Sequence, residues 1–273
     1  VAAPTGLHAG VALPLLAAGL DLLVEKPLAA RVEEARAIVI AARRHDRVVA
    51  VGHVERFNPA WRAAVERAGR PVVVEASRLA PFTFRSLDVG VVHDLMIHDI
   101  DLVLALEPGR LERVEAQGIF ASGGHEDAAR ARLVFASGMV ADLSASRISP
   151  VVRRSVTMWS AQGIVDVDFN AKTVDAVTPG PDVRAGRFVA ATVPPADRGG
   201  LKERFFNAIA CEHDDFLDAV RVRRQPVVPA AAGAAAVEIA ARVLECLACI
   251  RLGDAAGGRV DGTIPRVPQR RVA

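Results

Sequence analysis

Over residues 1–70, short apolar runs closed by a charge or a turn alternate with amphipathic stretches. Leu22-Leu23-Val24 ends in Glu25-Lys26-Pro27, and Val48-Val49-Ala50-Val51 ends in Gly52-His53. Wholly apolar runs of this length predict strands buried on both faces. Between them Ala35, Ile38, Val39 and Ala42 recur at helical spacing and predict a helix over 32–45. Ahead of them, Val1-Ala2-Ala3 reads as the end of a strand. Pro4-Thr5-Gly6 reads as a turn, with Thr5 or Gly6 capping a helix over 7–18 that Gly19 closes. The order strand, helix, strand, helix, strand with short links predicts a parallel sheet. Asn58-Pro59 then opens a helix to residue 67, with Asn as cap and Pro in the first turn.

The texture changes after Gly69-Arg70-Pro71. A strand over 72–79 and a helix over 91–106, stopped at Pro108-Gly109, lead into strands over 111–120, 131–136, 139–147, 155–161, 164–169 and 173–178. Ser137-Gly138 and Gln162-Gly163 mark hairpin turns, so these strands read as an antiparallel meander. Residues 179–200, rich in Pro and Gly, read as a loop. Helices over 201–223 and 230–252 follow, and residues from 266 read as a frayed tail. The predicted fold class is α/β: a partial Rossmann domain with a parallel sheet over 1–70, then an α+β domain with a large, mostly antiparallel sheet over 71–273.

Composition narrows the function. A chain of 273 residues that is 51% hydrophobic has material for real cores. A net charge of +2 gives no broad basic field for nucleic acid. Lys26, Lys172 and Lys202 are the three lysines in an arginine-rich chain, and lysine, unlike arginine, changes its pKa readily on burial. Tyrosine is absent, so no Tyr serves as acid or base. Cys211, Cys246 and Cys249 give no disulfide framework, and Cys246-x-x-Cys249 reads as two small core residues on one helix face. A reducing cytoplasm is the compartment expected. Residues 1–20 carry no Asp, Glu, Lys or Arg, but Pro4, Thr5, Gly6, His8 and Pro14 interrupt them, so neither a membrane span nor a signal peptide is expected. With no initiator Met, the sequence reads as if it starts inside a longer protein.

The candidate chemistry lies at predicted strand ends. Ligands of open α/β sheets gather there, so Lys26 is well placed, and Pro27 restricts its backbone. Asp94, His98 and Asp101 stand at i, i+4 and i+7, which puts them on one helix face. An Asp at that distance can fix the histidine tautomer and leave the other nitrogen to take a proton. The bland reading is an acid favouring the helix dipole beside a satisfied core histidine. A metal site built from His93, Asp94, His98, Asp99 and Asp101 ranks below acid/base work, because no further ligand cluster accompanies them. In Gly52-His53-Val54-Glu55-Arg56-Phe57-Asn58-Pro59, Arg56 and Asn58 could hold phosphate, carboxamide or sugar hydroxyls; for Asn58, helix capping is the stronger reading.

Four motifs in this order resemble one family: Ala3-Pro4-Thr5-x-x-His8, Val24-Glu25-Lys26-Pro27, Gly52-His53-x-x-Arg56-Phe57-Asn58-Pro59, and Asp94-x-x-x-His98-x-x-Asp101. Together they are similar to the Gfo/Idh/MocA oxidoreductases, and the block from Asp94 to Leu104 and the Arg56-Phe57-Asn58-Pro59 motif resemble members acting on UDP-N-acetylglucosamine at its 3-hydroxyl. The resemblance implies NAD or NADP on the Rossmann domain and a sugar or sugar-nucleotide substrate against the sheet domain. It implies cofactor contacts from Ala3, Pro4, Thr5, His8, Glu25, Lys26, Pro27 and Arg56, and substrate contacts from Lys26, Asn58, Asp94 and His98. It further implies that His98 accepts the hydroxyl proton, that Asp94 orients it, and that Lys26 stabilises the alkoxide and positions the substrate. A homo-oligomer paired through the sheet is also implied.

One departure is large: no Gly-x-Gly occurs in the sequence, so the phosphate-binding G-x-G-x-x-G turn is absent from it. The expectation is a fragment whose parent is an NAD(P)-dependent sugar dehydrogenase. Alternatives are a cofactor-free binding or oligomerisation module and a metal-dependent hydrolase using the His/Asp helix. His93 stands where an apolar residue is expected.

Overall fold

The computed structural model describes residues 1–83, 89–121, 124–180, 185–186, 190–193 and 207–251. Helix α1 (His8–Ala17) follows a 3-10 turn at Thr5–Leu7, and Gly19 with φ +83 ends it. Strands β1 (Leu22–Glu25) and β2 (Val49–Gly52) pair in parallel, with α2 (Val32–Arg44) as their crossover. The Glu25 N–H donates to Val1 O at 2.9 Å, so Val1 runs along the other edge of β1. On the outer edge of β2 the Val51 N–H donates to Val228 O at 3.0 Å, and Ala50 bridges Pro229. The small sheet therefore gains an edge from a segment almost two hundred positions further along the chain.

A 3-10 turn at Val54–Phe57 leads into α3 (Pro59–Ala68). Strand β3 (Pro71–Leu79) then enters the second sheet. A π-helical turn (Val92–Met96) runs directly into α4 (Ile97–Leu104). Next come β4 (Leu111–Phe120), β5 (Ala128–Phe135), β6 (Val140–Ser146), β7 (Arg153–Ser160), β8 (Gly163–Asp168), β9 (Thr173–Val177) and β10 (Ala190–Val193). Helices α5 (Ala208–Val222) and α6 (Ala230–Cys246) lead to β11 (Leu247–Arg251).

The large sheet has nine strands in the order β10-β9-β8-β7-β3-β6-β5-β4-β11. The strands from 111 to 177 do not form one plain meander: β3 inserts between β6 and β7, parallel to β6 and antiparallel to β7. Alternate residues face inward, as Leu133 and Phe135, Ala141 and Leu143, and Val156 and Met158 show by their burial. Helices α3, α4 and α6 cover that face.

Three expectations fail locally. The loop over 179–200 contains β10, which pairs with β9; residues 181–184, 187–189 and 194–200 lie outside the described residues. The helix over 230–252 stops at Cys246, and the apolar run Leu247–Ile250 becomes a strand parallel to β4. The free ladder at the edge of β4 outcompetes helical continuation. Gly118 permits the approach, because a Cβ there would lie 3.0 Å from Cys249 Sγ. Cys246 is consequently exposed at a helix end and Cys249 sits in a strand, so they do not share a buried helix face. Of the helix over 201–223, Ala208–Val222 is described, capped by Asn207, whose side chain accepts the Ala210 N–H at 3.1 Å.

Candidate active site

The carboxyl ends of β1 and β2 face the π-turn and α4. Asp94, His98 and Asp101 all turn toward residues from these strand ends, as their spacing predicts, but each meets a different one. Lys26 Nζ donates to Asp94 Oδ1 at 2.9 Å and to Asp94 O at 2.7 Å. The Lys26 and Asp94 side chains keep 20% and 25% of their exposure, so the pair is reachable from solvent. The Lys26–Pro27 peptide is cis. Asp101 is consumed by Arg56, whose Nε and Nη2 donate to its two oxygens at 2.7 and 3.0 Å.

His98 is not hydrogen-bonded by Asp94. Its Nδ1 is sealed in the interior without a partner, and its ring stands edge-on to His53, with centroids 6.1 Å apart and planes at 88°. Burial holds the His98 pKa well below 6.5, and the positive fields of Arg78, Lys26, His53 and Arg154 act in the same direction. The imidazole is therefore neutral at pH 7 and able to accept a proton, with Nε2 as the nitrogen left to do it. His53 is itself fully buried, with both ring nitrogens unpartnered, and burial lowers its pKa as well. The sequence placed His53 in the Gly-His-x-x-Arg motif without a role; no signal in the motif pairs it with His98.

Several expected contacts are internal instead. His8 is buried, and its ring nitrogens lie 2.8 Å from Pro27 O and 2.8 Å from Ala3 O. It ties two loops together, so its ring is not presented to a cofactor. Arg56 is neutralised by Asp101 and is not a free phosphate ligand. Asn58 is buried; its Oδ1 accepts the Ala60 N–H at 3.1 Å and its Nδ2 donates to Glu55 Oε2 at 3.1 Å. Capping, not substrate contact, occupies it. Ala3, Pro4 and Thr5 remain at the surface of the strand-end turn, Glu25 is exposed, and Pro27 is buried.

Behind the site lies a second ionic layer that sequence reading missed. Arg78 on β3 donates from Nη2 to Asp99 Oδ1 at 2.9 Å and from Nη1 to Glu55 Oε1 at 3.0 Å, all nearly fully buried. It locks the 54–57 turn and α4 to the large sheet. The π-turn has its own anchor: Glu126 Oε1 accepts the Val92 N–H at 3.0 Å. Gly90 leaves the space, since a Cβ there would lie 1.9 Å from that oxygen. A π-turn at such a place is a common mark of functional helices. His93 is half-buried with Nε2 unpartnered, and nothing in the structure explains its choice over an apolar residue. Among the described residues no group of three or more His, Cys, Asp or Glu is arranged to hold a metal.

Residues 1–53 match the model of the oxidoreductase family with an NAD-binding Rossmann fold, and residues 52–165 match the GFO/IDH/MocA C-terminal domain. The chain is 36% identical over 230 residues to UDP-N-acetylglucosamine 3-dehydrogenase of Acidithiobacillus ferrooxidans, covering 82% of this chain and 74% of that protein. A crystal structure of that enzyme superposes with a TM-score of 0.80 at 34% identity, covering 90% of this chain and 76% of that one. An inositol dehydrogenase homologue from Azotobacter vinelandii, complexed with NADH and myo-inositol, shares the fold with a TM-score of 0.75 at 19% identity over 90% of this chain and 74% of that one. The chain belongs to the Gfo/Idh/MocA family of NAD-dependent oxidoreductases. The hydrolase alternative receives no support from these relatives.

The polar groups at the β1 end and the neighbouring 3-10 turn suit the nicotinamide end of NAD: the Lys26 ammonium and the Thr5 hydroxyl can donate and the exposed Glu25 carboxylate can accept, at the edge where open parallel sheets bind ligands. The chain has no Gly-x-Gly turn to offer the pyrophosphate.

Proposed function

We propose that this enzyme oxidises a ring hydroxyl of a sugar or sugar nucleotide, with the 3-hydroxyl of a UDP-N-acetylhexosamine as the first substrate to test. The observation that carries the reading is the placing of Lys26, held by Asp94, beside a neutral His98 with one nitrogen sealed away. NAD, when bound, supplies the hydride acceptor. His98 takes the hydroxyl proton at Nε2. Lys26 stabilises the developing alkoxide and positions the hydroxyl, and Asp94 holds Lys26, not His98. Glu25, Thr5 and Pro27 shape the cofactor side.

Lys26→Met and His98→Ala each lower kcat by about two to four orders of magnitude, while Asp94→Asn costs less. Near-wild-type kcat in either of the first two variants removes the assignment. Because the base must be unprotonated and its pKa lies below 6.5, kcat/KM falls only on the acid side of pH 6.5.

We also infer two domains meeting at Arg70–Pro71, with α6 packed against α2 and β2 of the first as well as α4 and β4 of the second. A second copy covers the open face of the large sheet. The cross-strand partners Trp159 and Ile164 are each 43% exposed on it, more than a solvated face needs. A cytoplasmic enzyme agrees with three free cysteines and with the absence, among the described residues, of a helix long and apolar enough to cross a membrane.

A further inference from the structure

The cations around the cleft are paired with carboxylates, with one exception among the described residues. Lys26 has Asp94, Arg56 has Asp101, Arg78 has Asp99 and Glu55, and Arg147 has Asp127. Among the described residues, Arg154 meets no carboxylate and makes no side-chain hydrogen bond. Its place is set by register. Arg154 is the cross-strand partner of Arg78, so both leave the sheet on the same face. That is the inner face, where Val156 and Met158 of β7 are buried beneath the helices. Arg78 reaches under α4 to Asp99, the neighbour of His98. Arg154, one strand over at the open start of β7, is exposed. Its field reaches the site nonetheless: it is among the charges that lower the His98 pKa and oppose the rise at Asp99.

An exposed arginine on the helix-covered face of the sheet, with no counter-charge among the described residues, is a standing site for an anionic group of a ligand. Arginine suits a phosphate in particular, because its planar fork donates two parallel hydrogen bonds. A neutral polyol would leave that charge unused. We propose that Arg154 anchors the diphosphate of a nucleoside-diphosphate sugar whose ring sits at Lys26 and His98. The site thereby selects an anionic sugar nucleotide over a neutral sugar or inositol. This rests on the placing of the sugar ring given above, but its test does not need turnover.

Binding of UDP, and of uridine as the uncharged control, is measured by calorimetry on the intact protein and on Arg154→Met and Arg154→Lys. UDP binds wild type with an affinity that falls as salt rises. Arg154→Met weakens it by about 10- to 100-fold, the worth of one or two hydrogen bonds to a charged group, and Arg154→Lys recovers part of the loss. Uridine binds weakly and equally to all three. An affinity for UDP within twofold in Arg154→Met, uridine binding as tightly as UDP, or no UDP binding to wild type each overturns the proposal. Arg154 is exposed, so the variants keep the wild-type melting curve. UDP dependence on Arg154 together with full turnover by Lys26→Met would leave the anchor standing and remove the catalytic reading. An inactive Lys26→Met with unchanged UDP binding by Arg154→Met would do the reverse.

Discussion

β1 and β2 are four residues each and largely enclosed, with Leu22, Val24, Val49, Ala50 and Val51 all buried. The nine-stranded sheet keeps one face under helices and leaves the other carrying Glu75, Ser77, Glu115, Gln117, Arg130, Arg132, Asp142 and Ser144 in an open, shallow basin. The small sheet has no free face, so its working surface is its ends, and Lys26 and His53 stand there. The large sheet has surface to spare, one face buried under helices and the other open. What joins the two is charge and close packing: Arg78 with Asp99 and Glu55 on one side, and α6 pressed on β2 on the other.

The join is the place to break first. Asp99→Ala leaves the buried Arg78 guanidinium without its main partner, and the unfolding free energy falls by about 3–5 kcal/mol. Urea titration reads this directly; a loss under about 1 kcal/mol means that Glu55 alone suffices and the layer is not a lock. The packing half of the join is weaker. A Cβ on Gly233 of α6 would lie 2.7 Å from Val51 Cγ2, so Gly233→Val costs about 1–3 kcal/mol. Adding Val51→Ala recovers part of that cost if the two residues truly collide; purely additive losses place the strain elsewhere.

Glu212 on α5 sharpens the comparison by pH. It is buried behind the 54–57 turn with Oε1 unpartnered, and burial, then Glu25 and Asp215, push its pKa up to about 7. Its folded pKa exceeds the unfolded one, so its protonated form favours the fold at low pH. That contribution fades as pH rises from about 4.5 through about 7. Glu212→Gln therefore raises the melting temperature at pH 8 by roughly 2–4 °C and changes little at pH 4. An equal shift at both pH values would show that ionisation is not the cause.

The smallest effect on the single chain is expected on the open face. Arg132 and Asp142 pair at 2.7 Å across β5 and β6 in solvent, and Arg132→Ala costs under about 1 kcal/mol of chain stability. Light scattering separates that from a role in assembly. An oligomer that dissociates in Arg132→Glu places the partner copy on this face, and a wild-type monomer at micromolar concentration refutes the interface.

Periodicity alone fixed most element types. The apolar runs before Lys26 and Gly52 became strands because a run that short and that apolar has no exposed face to offer a helix. Asn58 and Gly19 ended up as cap and terminator because a short amide side chain and a backbone free to take positive φ both act within a few residues. The order of four motifs was enough to identify the family, and the spacing of Asp94, His98 and Asp101 was enough to turn them toward the strand ends. What those residues bind there was decided by distant chain. Asp94 took Lys26 instead of His98, Asp101 took Arg56, and His98 was left against His53, because each pairing depends on where β1 and β2 end relative to a π-turn whose anchor, Glu126, comes more than thirty positions later. β11 and the edge contact at Val228 and Pro229 were likewise invisible, since a strand that forms by completing a free edge carries its signal in the edge, not in itself. Local pattern specifies what a segment can be; which polar group faces which is settled only when sheet register and helix packing bring them within about 3 Å.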